Sequence, residues 1–221
     1  MSVVVFAPHP DDEVLGVGAT IARLANEGRR VTVAIVTRGR AEDFGADQVE
    51  RVNDEARAAH EILGVSETLF LDFPAARLDQ VPHAELNASF TKLVTHRLPK
   101  TVFLPFRGDL HLDHRLVFDS AMVAMRPAGG MKVKEIFAYE TLSETNWNAS
   151  RGISAPFVPD CFVDVENYLS VKLEAMKRYA SQLLQFPEER SIEAIDALAR
   201  HRGATVGVVA AEAFMTVRRV L

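Results

Sequence analysis

At 221 residues the chain is long enough for one sizeable core. Hydrophobic residues make up 48% and charged residues 25%, which argues against long disorder, and a net charge of -5 disfavours nucleic acid or an anionic membrane surface as the main partner. The single cysteine, Cys161, excludes an internal disulfide and a thiolate metal cluster, so a reducing, cytoplasmic setting is the default expectation.

In chain order, "VVVFAP" (3–8) reads as a buried strand, and Glu13 to Asn26 as a helix with Gly28 after its end. "VTVAIVT" (31–37) is a second strand, and residues 48–64 carry apolar positions at helical spacing, with Gly64 as the stop. "TLFLDF" (68–73) is a strand, 84–98 a helix, "TVFLPF" (101–106) a strand, His114 to Met125 a helix and "VKEIFAYE" (133–140) a strand. The last third is less regular: a short strand at 161–165, helices at 171–186 and 191–203, and an ambiguous 210–221 whose "FMTVRRVL" end suits an edge strand. Alternation of this kind predicts a single α/β domain spanning 1–221, Rossmann-like, with a mostly parallel sheet and helices on both faces. No apolar run is long enough to cross a bilayer. The first residues lack a basic n-region, so they do not read as a secretory leader. The sequence leaves a homo-oligomer open.

Ligands of open α/β sheets bind beyond the carboxyl ends of the strands. Directly after the first strand stands His9-Pro10-Asp11-Asp12-Glu13. A helix cap accounts for one Asp and for Glu13, but not for His9 in the same turn. The adjacent Asp11 and Asp12 point different ways, so that one can bind a metal while the other faces a substrate. After the fourth strand stands "RGDLHLDHR" (107–115), which adds His111, Asp113 and His114, with Asp109 close by. Either turn alone reads as a solvated polar loop. Together, on one edge of one sheet, they suit a hydrolytic metal site of two histidines and one carboxylate, with further His and Asp groups left to move protons.

Pro8 to Glu13, taken with His111-Leu112-Asp113-His114, resembles the PIG-L/LmbE-like N-acetylglucosaminyl deacetylases, whose marks are an (A/P)HPDDE turn and a later HxDH turn. "EARAAHEILGV" (55–65), "FPAARLD" (73–79), "YASQL" (179–183) and "RGATVGVVAAEAF" (202–214) extend the likeness through most of the chain. The resemblance implies a zinc-dependent removal of acetyl from an N-acetylated amino sugar, with ferrous iron or another divalent metal as the alternative ion. It implies His9, Asp12 and His114 as metal ligands and Asp11 as the general base. His111 then steadies the oxyanion or protonates the leaving amine, and Asp113 orients a neighbouring imidazole. Many relatives carry an acid where this chain has Ala75-Ala76, which leaves Arg77 and Asp79 as the loop's candidates for the sugar. An arginine that relatives place three residues before the equivalent of Glu55 has no counterpart here, since Arg51 lies four before it.

Arg38, after the second strand, reaches the same edge and suits a phosphate or carboxylate as well as it suits solvent. Trp147 suits stacking on a sugar ring or anchoring a loop. "GVGAT" (16–20) lacks the third glycine of a dinucleotide fingerprint and lies inside a helix, so tight packing explains it better. His60, His83, His96 and His201 read as surface residues, and Cys161 as a small core residue. Two other functions compete. A non-haem iron enzyme would use His9-x-Asp11 and a distant histidine as a facial triad. A non-catalytic sugar- or nucleotide-binding module would leave the paired His/Asp turns unexplained.

Overall fold

The computed structural model describes residues 2–127, 133–147 and 155–221. In chain order the elements are β1 (Ser2–Ala7), α1 (Asp12–Asn26), β2 (Arg30–Arg38), α2 (Ala41–Phe44), α3 (Ala46–Leu63), β3 (Glu67–Pro74), a 3-10 turn (Leu78–Gln80), α4 (His83–Arg97), β4 (Thr101–Pro105), α5 (Leu112–Ala124), β5 (Glu135–Tyr139), β6 (Cys161–Asp164), α6 (Leu169–Met176), α7 (Ile192–Ala204) and β7 (Ala211–Arg219). The strands form one seven-stranded sheet in the order β3-β2-β1-β4-β5-β7-β6. β3 to β5 run parallel through β2, β1 and β4, whereas β7 is antiparallel to both β5 and β6. The chain is therefore Rossmann-like, as the alternation predicts.

The near-continuous apolar run of β1 is buried on both faces. Val3, Val5 and Ala7 join a core with helices α1, α3 and α6, while Val4 and Phe6 join a second core with α4 and α5. Burying each of these valines and Phe6 contributes about 1.5–3 kcal/mol, so β1 ties the two halves together. Gly16 lets α1 lie close to β5: a Cβ there would stand 2.2 Å from Tyr139 Cδ2. The small residues of "GVGAT" thus serve packing, as expected.

Two expectations need correction, the helix over 171–186 and the surface place of His60. The helix expected over 171–186 ends at Met176. Arg178 and Tyr179 bond back only three residues, and tertiary bonds claim the rest: Tyr179 Oη donates to Glu13 Oε1 (2.6 Å) and Ser181 Oγ to Glu55 Oε2 (2.5 Å). The ambiguous C-terminal segment forms β7, and its end after Phe214 is an edge, as expected, paired with β5 alone. Its first residues pair with β6, and its second half, from Phe214, pairs with β5. His60 is buried, not superficial, with Nδ1 2.7 Å from Thr68 Oγ1 and Nε2 3.1 Å from Glu13 Oε1. His83, His96 and His201 are exposed, and Cys161 is half-buried.

Candidate metal centre and active site

Strand order reverses between β1 and β4: β1 continues through β2 to β3 on one side, and β4 through β5 on the other. Such a switch point opens a crevice at the carboxyl edge. Because β1 and β4 are direct neighbours, the turns that follow them meet there. This adjacency brings His9 and His114 together from distant parts of the chain, with ring centroids 5.4 Å apart.

Each turn is locally built for the task. Thr37 of β2 donates to Pro8 O (2.7 Å) and anchors the first turn to the sheet. The helix begins at Asp12, one residue earlier than the sequence suggests. Asp11 sits at its N-terminus with φ 105°, in the left-handed region, where a non-glycine residue costs of order 1–3 kcal/mol. Surrounding bonds hold it: its N–H donates to Glu13 Oε2 (3.3 Å), and its carbonyl accepts from Val14 and Leu15 (3.0 and 2.9 Å). Glu13 is fully buried and fixed from behind by Tyr179 and His60. The kink explains why the adjacent acids diverge. Asp12 turns to the histidines, and Asp11 turns to Arg190, whose Nη1 stands 3.3 Å from Asp11 Oδ2. In the second turn α5 begins at Leu112, two residues earlier than expected, so His111 is the cap and its Nδ1 accepts from Asp113 N (3.2 Å).

Asp12 Oδ2 lies 3.3 Å from His9 Nδ1 and 3.2 Å from His114 Nε2. The donor atoms of His9, Asp12 and His114 all fall within 4.8 Å of one another. Both imidazoles are held by their other nitrogens: His114 Nδ1 faces Asp109 Oδ2 (2.8 Å), and His9 Nε2 faces Asp113 Oδ2 (3.1 Å). Histidine ligands are commonly oriented by a carboxylate in this way. His114 Nε2 is buried and stands 3.2 Å from Asp12 Oδ2, so it is the ring nitrogen turned into the cluster. A second metal-sized group, His9, His111 and Asp113, is already satisfied internally. Asp113 also accepts from Ala76 N (2.7 Å) and Leu78 N (3.3 Å), and His111 Nδ1 is engaged as the cap. The residues of the first group therefore fit a divalent cation of the zinc or iron kind.

The acids and imidazoles of the cluster shift one another strongly. Burial disfavours an imidazolium at His9, yet Asp113 and Asp12 together push its pKa up to about 9. Burial is likewise outweighed at His114, where Asp12 and Asp109 push it up to about 10. Asp12 is held well below the usual carboxylate range against its burial, chiefly by His114. Burial and the charge of Asp12 raise Asp11 well above that range, opposed by Arg190. Burial raises Asp109 and Glu144. Asp113 is lowered despite burial by its bonds to His9 and Ala76. His111 is pushed down to about 4 by burial and by the charge at His9. Its Nδ1 being an acceptor, the neutral ring presents Nε2–H as a donor.

A cleft of about 260 Å³ opens over this group. His9, Asp11, Asp12 and His111 line its floor, and Arg38, Glu144 and Arg190 its polar rim. Arg38 is paired with Glu50. The other suggested sugar contacts are not brought into it. Arg77 pairs with Asp43 (2.7 Å), Asp79 is exposed, and Trp147 is 63% exposed with Nε1 donating to Glu189 (2.9 Å). The His9-x-Asp11 facial triad is not assembled either, since Asp11 stands outside both metal-sized groups among the described residues. Sequence reading missed Arg190, Glu144 and Asn53 in the lining. Arg190 lies in the irregular C-terminal third, where no periodicity points to it. Asn53 left one trace, a polar residue in the apolar stripe of α3.

The PIG-L family, described as GlcNAc-PI de-N-acetylase, matches residues 4–125. The chain belongs to the PIG-L family. It is 31% identical over 188 residues to the uncharacterized deacetylase YaiS of Escherichia coli, covering 81% of this chain and 90% of that one. It is 29% identical over 197 residues to the diacetylchitobiose deacetylase of Thermococcus kodakarensis, covering 85% and 71% respectively. Among solved structures, the conserved protein TT1542 of Thermus thermophilus superposes with a TM-score of 0.80 at 29% identity, over 99% of this chain and 96% of that one. Like its PIG-L relatives, the chain is a deacetylase, an enzyme that hydrolyses an amide bond.

Proposed function

We propose that this PIG-L chain, acting as one unit over residues 1–221, is a zinc-dependent hydrolase that removes acetyl from an N-acetylated amino sugar of the N-acetylglucosamine type. The observation that carries the reading is the three-donor group His9, Asp12 and His114 at the cleft floor, with Asp11 beside it but outside it. The diacetylchitobiose relative supports the substrate class. No helix of the described residues is long and apolar enough to cross a membrane, and a cytoplasmic place fits the lone cysteine.

His9, Asp12 and His114 would hold the ion, with Asp113 and Asp109 fixing the two rings. Zinc, when bound there, would lower the pKa of a water to about 7 and polarise the amide carbonyl. Asp11, held by Arg190, is the base that takes a proton from the attacking water. The water oxygen bonds to the acetyl carbon, the C–N bond breaks, and the proton passes to the departing amine, giving acetate and a free amino sugar. His111 Nε2–H donates to the carbonyl oxygen as it gains charge. A neutral donor suffices for that role.

Acetate release from a panel of N-acetylglucosamine conjugates, assayed with zinc and with ferrous iron, tests the reading. Acetate from at least one conjugate, lost on chelation, is expected. Chelator-insensitive release, or none from any conjugate, overturns it.

A further inference from the structure

Helix α3 presents two kinds of surface along one face. From Ala56 onward its inward positions, Ala59, His60 and Leu63, enter the core, whereas Gln48, Val49, Val52 and Asn53 line the cleft. These four are one turn apart in pairs, 48 with 52 and 49 with 53, so they form one contiguous patch. With Phe44 and Ala75 the patch makes an apolar wall opposite the acidic floor. Gln48 and Asn53 are its polar members; Gln48 is exposed, whereas Asn53 is buried. Only 7% of the residue is exposed, and its carboxamide has no hydrogen-bond partner among the described residues. Its polar atoms are not sealed in the interior either, since they are absent from the buried orphans.

The carboxamide reaches the cleft, so a ligand that displaces water from it must supply a partner or leave the amide unsatisfied, which is costly. Asparagine is also a poorer helix former than alanine at an interior helical position, so helix stability does not favour it. A carboxamide both donates and accepts, which matches a neutral hydroxyl better than an anion that could use only its N–H groups. Small-molecule sites commonly have this form, an apolar surface with a few placed polar groups. We propose that Asn53 is a specificity-determining residue of the cleft, which hydrogen-bonds a hydroxyl of the sugar ring while Val49, Val52 and Phe44 cover an apolar face of that ring. This deepens the proposed function and rests on its substrate class.

The test uses the full chain with N,N'-diacetylchitobiose and N-acetylglucosamine as probes, and the variants Asn53→Ala and Asn53→Leu. Alanine suits the helix interior, and leucine keeps the volume while deleting the polar atoms. Both variants should keep the wild-type metal content and thermal midpoint. KM should rise about tenfold with kcat within about twofold, as expected when one neutral hydrogen bond to the substrate is lost. A purely structural Asn53 would instead lower the midpoint and kcat with KM unchanged, which overturns the proposal. Binding is measured separately, by titrating each probe into the protein calorimetrically. If the wild type binds a probe but releases no acetate, the deacetylase reading fails alone, and about tenfold weaker binding by Asn53→Ala still supports the subsite. Equal binding by wild type and variant, or none by the wild type, overturns it.

Discussion

Asp109 holds His114 from behind: Asp109 Oδ2 stands 2.8 Å from His114 Nδ1, and the opposite nitrogen, Nε2, is left 3.2 Å from Asp12 Oδ2. Both partners are fully buried, and Thr145 Oγ1 donates to the other oxygen of Asp109 (2.6 Å). A proton on Nδ1 leaves Nε2 as the lone-pair nitrogen, so Asp109 decides which face of the ring can bind a metal.

That pairing predicts the effect of Asp109→Asn. The shape is kept, but the negative charge behind the ring is lost. Metal affinity should fall about 10–100-fold with the three ligands intact. Competition titration against a chelator of known affinity measures it, with His114→Ala as the control that loses most of the metal. Unchanged affinity in Asp109→Asn would show that the bond orients nothing of consequence.

Asp11→Asn separates base from ligand. Asparagine tolerates the left-handed backbone found at Asp11, so the turn should survive. Metal content should stay near the wild type while kcat falls about 10²–10⁴-fold. Loss of metal together with activity would make Asp11 a ligand.

His111→Gln keeps a hydrogen-bond donor near the place of Nε2, and His111→Ala does not. If the neutral ring acts as a donor, Gln should retain at least about tenfold more kcat than Ala, with metal content equal in both. Equal kcat in the two variants would point to proton transfer as the essential role of His111.

Gly16→Ala probes the packing that sets the spacing between α1 and β5. The new Cβ would meet the Tyr139 ring at 2.2 Å, and Tyr139 Oη is tied to Phe6 O (2.8 Å), so the ring cannot swing away freely. Overpacking of this kind costs about 1–3 kcal/mol, or roughly 2–4 °C of Tm per kcal/mol in a chain of this size. A thermal melt equal to the wild type would mean that α1 shifts at no cost.

Hydrophobic periodicity sufficed for the parallel part of the fold. β1 to β5 and the helices between them repeat a regular alternation, and each such segment has its own apolar stripe or run. The same rule failed over 177–186, because Tyr179 and Ser181 answer to Glu13 and Glu55, distant partners that periodicity does not contain. It failed at His60 for a related reason. A histidine on a helix looks superficial until Glu13 and Thr68 are found beside it.

In the site, the sequence by itself determined which donors follow which strands, because a turn at the carboxyl edge of a strand is a local property. His9, Asp11, Asp12, His111, Asp113 and His114 were all legible in that way. Only the tertiary structure decided how they are arranged. Strand order made β1 and β4 neighbours, the positive φ of Asp11 sent it and Asp12 in different directions, and Asp109 and Asp113 fixed which ring nitrogens face inward. The cleft walls were decided there too. Arg190 and Asn53 come from segments whose local patterns serve a loop and a helix, and only packing against the carboxyl edge of the sheet brings them into the cleft lining.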